Sequence, residues 1–124
     1  MLRTQSSGSV RVTWIDRPAL LRELEERAAR LGRDHPEIAE VVLFGSVARG
    51  SATPESDIDI LLIVDETGVP FLLRADPYRD VFADLPFDVF PLAYTQSERE
   101  RMLREGNLFL CSAFEDAVYL YRRA

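Results

Sequence analysis

The sequence predicts an α/β domain, a small mixed β-sheet flanked by helices. Three observations point there. Apolar runs of strand length lie near 40–45, 57–64 and 86–92. Between and around them, stretches with helical spacing carry capping residues at their ends. A length of 124 residues with a 47% hydrophobic share suits one globular domain with a real core, so the whole of 1–124 is read as a single domain.

The elements follow in order. Residues 1–9 are polar and expected to be loose. Val10, Val12 and Trp14 alternate with polar residues and predict a short strand. Asp16 is placed to cap a helix with Pro18 in its first turn. Leu20, Leu21, Leu24, Ala28 and Leu31 recur at helical spacing, with Gly32 as the expected stop. Two strands follow near 40–45 and 57–64, then a loop over 65–75 holding Gly68 and Pro70. Asp76-Pro77 opens a short helix to about Ala83, and a third strand spans 86–92. Thr95 or Ser97 caps a helix reaching Arg104, with Gly106 beyond it. A helical turn over 107–114 and a strand over 117–121 close the chain. The alternating charges at 98–101 read as a solvated helix face. His35 reads as a solvated loop residue, and Cys111 as a buried small apolar group rather than a nucleophile.

The chemistry concentrates in one stretch. Gly45-Ser46 closes the apolar run 41–44, and ten residues later Asp57-Ile58-Asp59 opens the next. Side chains alternate along a strand, so Asp57 and Asp59 share a face, with backbone origins roughly 6.6 Å apart. Two carboxylates so placed can grip one divalent ion together, or two ions roughly 3.5–4 Å apart, and their oxygens suit Mg²⁺ or Mn²⁺ better than zinc. Without a cation they repel, and one pKa should rise. Gly45 allows a ligand to approach the backbone and Ser46 adds a hydroxyl. A helical turn beginning there would aim free N–H groups at phosphate, and Arg49 would add a positive charge. This is not a P-loop, since the chain contains no lysine. A third acid, Asp88, sits in an apolar segment, where it could complete a three-carboxylate site or accept a proton from an attacking hydroxyl.

The segments GSVARG, SDIDILLIV and FDVF resemble the DNA polymerase β-like nucleotidyltransferase superfamily. Its signature is G-S, ten residues, then D-x-D, with a later acid on a neighbouring strand. The resemblance covers roughly residues 36 to 92, and AVYLY resembles the short terminal strand of the small members. The nearest resemblance is to minimal nucleotidyltransferases (MNT), many of them antitoxins paired with HEPN toxins. It implies that Asp57, Asp59 and Asp88 bind metal, Asp88 serving also as candidate base, and that Gly45, Ser46 and Arg49 hold the triphosphate. The implied reaction transfers AMP from ATP to a hydroxyl and releases pyrophosphate. The chain leaves little room for a large acceptor platform, so the expected acceptor is a partner protein, with a HEPN toxin first. Two alternatives remain: a small-molecule nucleotidyltransferase acting as a homodimer, and a non-catalytic module that masks its partner.

The net charge of −6 argues against broad nucleic-acid binding. A single cysteine excludes a disulfide framework, no apolar stretch is long enough to span a membrane, and the first ten residues lack a signal-peptide core. The expected setting is the cytoplasm.

Overall fold

The structure, a computed structural model, describes residues 1–124. In chain order it comprises β1 (Leu2–Ser7), β2 (Val10–Ile15), α1 (Arg17–Asp34), β3 (Ile38–Phe44) and α2 (Gly45–Arg49). β4 (Ile58–Val64), α3 (Phe71–Arg74), a 3₁₀ helix (Asp76–Phe82) and β5 (Val89–Thr95) follow, then α4 (Gln96–Arg104), α5 (Leu108–Glu115) and β6 (Val118–Arg122). Four strands form one mixed sheet in the order β5-β4-β3-β6, with β4 and β5 parallel and the other pairs antiparallel. This is the predicted small mixed sheet flanked by helices.

α1 forms as its sequence dictates. Asp16 Oδ1 accepts a hydrogen bond from Ala19 N at 3.2 Å, and Pro18 occupies the first turn. Leu20, Leu24, Ala28 and Leu31 line its buried face. Gly32 does not end the helix. It lies inside α1, where a Cβ would stand 2.2 Å from the Tyr121 ring, so its lack of a side chain lets helix and sheet approach closely. Arg27, largely buried, donates to Glu23, to the Val81 carbonyl and to Asp84, tying α1 to the 3₁₀ helix and the turn after it.

β3 and β4 are central and covered on both faces, which is why they read as continuous apolar runs. One face, with Val41, Leu43, Ile58, Ile60 and Leu62, packs on α1 and the 3₁₀ helix. The other, with Val42, Leu61, Ile63 and Tyr94, packs under α4 and α5. Thr95 ends β5 and caps α4: its hydroxyl accepts from Glu98 N at 3.1 Å while Glu98 accepts from Thr95 N at 2.8 Å, a reciprocal capping box. Asn107 caps α5 through Leu110 N.

Several expectations shift. Residues 1–9 are not loose: Leu2–Ser7 pairs with β2 across a two-residue turn at Gly8-Ser9, Gly8 taking φ +61°. α3 interrupts the expected loop over 65–75, and the helix expected over 76–83 is 3₁₀ in form. The third strand lies at Val89–Thr95, three residues later than 86–92. It carries Pro91 because it is an edge strand, where a missing N–H is tolerated. The helix face at 98–101 is half engaged, since Glu98 pairs with Arg74 and Arg99 with Glu40. His35 packs edge-on to Tyr78 rather than standing free in solvent, and Cys111 is half-buried on α5. No helix is long and apolar enough to cross a membrane.

Candidate active site

The site forms where β3 hands over to α2. Gly45 takes φ +79°, a left-handed conformation that favours glycine. A Cβ there would lie 2.3 Å from Asp59 Oδ2, so the absence of a side chain lets the turn sit directly against that carboxylate. α2 is anchored by buried Val47 and Ala48, leaving Ser46 half-buried and Arg49 exposed. It closes at Gly50, φ +80°, whose N–H donates to Val47 O at 3.2 Å, and Ser51 N donates to Ser46 O at 3.0 Å. A tight turn follows, with Thr53 N on Ser56 Oγ at 2.9 Å and Ser56 N on Thr53 O at 2.9 Å. The turn delivers Asp57 to the start of β4. The antiparallel register pairs Phe44 with Asp59, which brings the Gly45-Ser46 turn and the carboxylates to one end of the sheet.

Asp57 is exposed just ahead of β4, and Asp59 is half-buried on it. Neither forms an ion pair. Burial pushes the Asp59 carboxyl above the ordinary range, the Asp57 charge adds to this, and Arg49 pulls back. The repulsion expected of the pair therefore falls on Asp59. Two unpaired oxygen-donor groups suffering mutual repulsion are chemically suited to a hard divalent cation. Mg²⁺ is commonly held by one or two carboxylates, with water and substrate phosphate completing its shell.

Asp88 lies just before β5 rather than within the strand, and is exposed. Its carbonyl accepts from Ile58 N at 2.9 Å, and the parallel register sets Val89 beside Ile58, so its backbone stands next to that of Asp57. The structure nonetheless gathers no set of three His, Cys, Asp or Glu side chains into a metal-holding group. Gly45 lies against Asp59, the strand register sets Ser46 and Asp57 at the same end of the sheet, and Asp88 flanks them.

One neighbour escaped the sequence reading. Arg17, the first residue of α1, donates from Nε to Val47 O at 3.0 Å and from Nη2 to Ala48 O at 2.8 Å. No local pattern marks it, because the contact spans thirty residues of sequence.

The profile of a family described as "Nucleotidyltransferase domain" matches residues 21–105. A Methanocaldococcus jannaschii protein named for protein adenylyltransferase activity is 38% identical over 50 residues, 40% of this chain and 50% of its own length. The match thus spans about half of that curated relative. Solved structures share the fold. A Sulfolobus solfataricus protein named as a nucleotidyltransferase superposes with TM-score 0.62 at 22% identity, covering 86% of this chain and 84% of its own. A toxin–antitoxin complex solved with AMP-PNP gives 0.57 at 25% identity, covering 80% and 73%. A Shewanella oneidensis complex of a tri-AMPylated HEPN toxin with an MNT antitoxin gives 0.53 at 22% identity, covering 83% and 73%.

Proposed function

The chain belongs to the nucleotidyltransferase domain family, and from that premise we propose that it moves AMP from ATP to a hydroxyl group on a partner protein, as the antitoxin of a HEPN-type toxin. The observation that carries the reading is the Gly45 turn lying directly against an unpaired Asp59. Phosphate would meet the backbone N–H groups of the turn at the point where the carboxylates can hold a cation. Arg49, near enough for its charge to act on Asp59, would supply a positive charge for the triphosphate. Asp57 and Asp59 would hold Mg²⁺ or Mn²⁺, which when bound offsets charge developing on the phosphoryl oxygens. Asp88, beside Asp57 and open to solvent, is assigned to the acceptor side, where it would take the proton of the attacking hydroxyl. Ser46 contributes one hydroxyl to phosphate, a contact worth about 1 kcal/mol.

The family relationship supports the transfer chemistry, and the relative named for protein adenylyltransferase activity supports a protein acceptor. The neighbours solved as toxin–antitoxin complexes, one with AMP-PNP and one with an AMPylated HEPN toxin, support the nucleotide and the partner. The test is to purify the chain with its co-expressed HEPN-type partner, add ATP and Mg²⁺, and record intact masses. Mass increments of whole AMP units on the partner, absent with Asp59→Asn while the complex persists, are the expected result. A partner that binds but never gains mass would leave masking as the function. Transfer to a small molecule with no partner bound would replace the reading altogether.

A further inference from the structure

α2 has only five residues, too few for a helix to hold itself in water, and its N-cap residue Phe44 offers no side-chain hydrogen bond. Yet the turn it carries must present its N–H groups at a fixed distance from Asp59. The structure grips α2 from both ends. At the start, Gly45 lies against the Asp59 carboxylate. At the finish, one guanidinium spans two consecutive carbonyls, Arg17 Nε on Val47 O and Arg17 Nη2 on Ala48 O. Those carbonyls belong to the last turn of α2, where a cation also complements the helix dipole. Arg17 is fixed in turn as the first residue of an eighteen-residue helix whose Leu20, Leu24, Ala28 and Leu31 are buried in the core. It makes no ion pair, and the Nε–Nη2 edge of its guanidinium is committed to α2.

We propose that Arg17 is a positioning residue for nucleotide binding: its planar fork locks the far end of α2 to the core and thereby sets the Gly45-Ser46 turn. The inference rests on the nucleotidyltransferase reading given above. It distinguishes arginine from lysine, because a lysine ammonium is a point donor that cannot span two carbonyls in a fixed plane. Lysine would keep the charge near the turn and lose the geometry.

The experiment pairs two measurements on wild type, Arg17→Lys and Arg17→Ala. Hydrogen exchange reads the amides of Gly50 and Ser51, which close α2, against the amides of α1 as an internal standard. Titration calorimetry reads AMP-PNP binding in Mg²⁺. The expected result in Arg17→Ala is faster exchange at Gly50 and Ser51, unchanged exchange in α1, and affinity weakened about tenfold, the scale of one charge-assisted hydrogen bond. Arg17→Lys should fall between, and transfer assays should show KM raised more than kcat is lowered. Unchanged exchange at Gly50 and Ser51 overturns the clamp. Faster exchange with unaltered AMP-PNP affinity overturns the positioning role. If Arg17→Ala also loosens α1, Arg17→Lys decides alone by the same two readings. If wild type binds no AMP-PNP, the nucleotidyltransferase reading itself has failed and this inference falls with it, an outcome separable from the others because wild type is the control.

Discussion

β4 carries a carboxylate at each end, and the two ends differ. Asp65, just past Val64, accepts from both terminal nitrogens of Arg123, at 2.9 and 3.0 Å, and from Gln96 at 3.0 Å. The Arg123 hydrogen bonds hold its carboxyl below the usual range. A cleft of about 410 Å³ opens there, against about 260 Å³ for the one lined by Ser56 and Asp88, yet its acids are matched: Glu37 accepts from Tyr78 and Glu66 from Ser97 N. At the other end Asp57 and Asp59 have no cationic partner, and burial pushes Asp59 upward. The same residue type on the same strand is satisfied at one end and left wanting at the other. Satisfied acids hold a structure together. An unsatisfied pair beside a glycine turn is the arrangement proposed above to hold a cation, and it is charge satisfaction rather than cavity size that singles it out.

The largest expected effect breaks the comparison outright. Asp59→Asn should lower transfer on the order of a hundredfold or more, the scale of removing one charge-handling group at a reacting centre. Asp65→Asn should leave transfer near wild type and lower the melting temperature instead. Steady-state assays and thermal melts of both variants check this, and equal losses of activity would erase the distinction between the ends.

A smaller effect sharpens what the site end depends on. Gly45 and Gly50 bracket α2 with nearly the same φ, +79° and +80°. A Cβ at Gly45 meets Asp59 Oδ2, whereas at Gly50 the nearest atom is Arg17 Nε at 3.8 Å. Either change to alanine should cost roughly 1–2 kcal/mol of stability from the left-handed backbone. Gly45→Ala alone should also weaken nucleotide binding, because it displaces the carboxylate. Calorimetry on the two variants separates backbone strain from site geometry.

The smallest effect is in pH. Asp59, with its folded pKa raised above 3.8, opposes folding when ionised. That penalty is full above the raised value, fades as pH falls through it, and is absent below 3.8. Asp65, with its folded pKa lowered, contributes stability present above 3.8 and lost as pH falls through the lowered value. In metal-free buffer Asp59→Asn should therefore melt above wild type at pH 7, with the gap closing by pH 3.8, whereas the deficit of Asp65→Asn should be widest at neutral pH. Melting curves from pH 3 to 7 give both signs.

Much of the site was legible because it is local. Gly45, Ser46, Asp57 and Asp59 announce themselves by a turn between two buried runs, and the capping residues Asp16 and Thr95 by their place before helical spacing. What escaped is non-local or ambiguous in sequence. β1 is a strand through its pairing with β2, since its own residues are mostly polar and show no buried face. Gly32 reads as a helix stop unless one knows that Tyr121 arrives from the far end of the chain. The third strand was expected at 86–92 and lies three residues later, with Pro91 tolerated inside it by the edge position of β5. That three-residue displacement carries Asp88 out of the strand. Arg17 acts on carbonyls thirty residues away, a contact that no spacing rule reaches.

Pro91 has a wider effect on how the sheet meets its surroundings. Ile58 N bonds Asp88 O, and in a parallel ladder alternate residues of the edge strand face the partner, so 89, 91 and 93 turn outward. The outward row therefore lacks a donor at Pro91, and its Ala93 carbonyl is occupied by Arg74 Nη1 at 3.5 Å. A foreign strand arriving at this side would find its ladder interrupted at two successive outward positions. The flank of the sheet nearest Asp88 is thus guarded against edge-to-edge aggregation, and a partner approaching there must dock by its side chains rather than by extending the sheet.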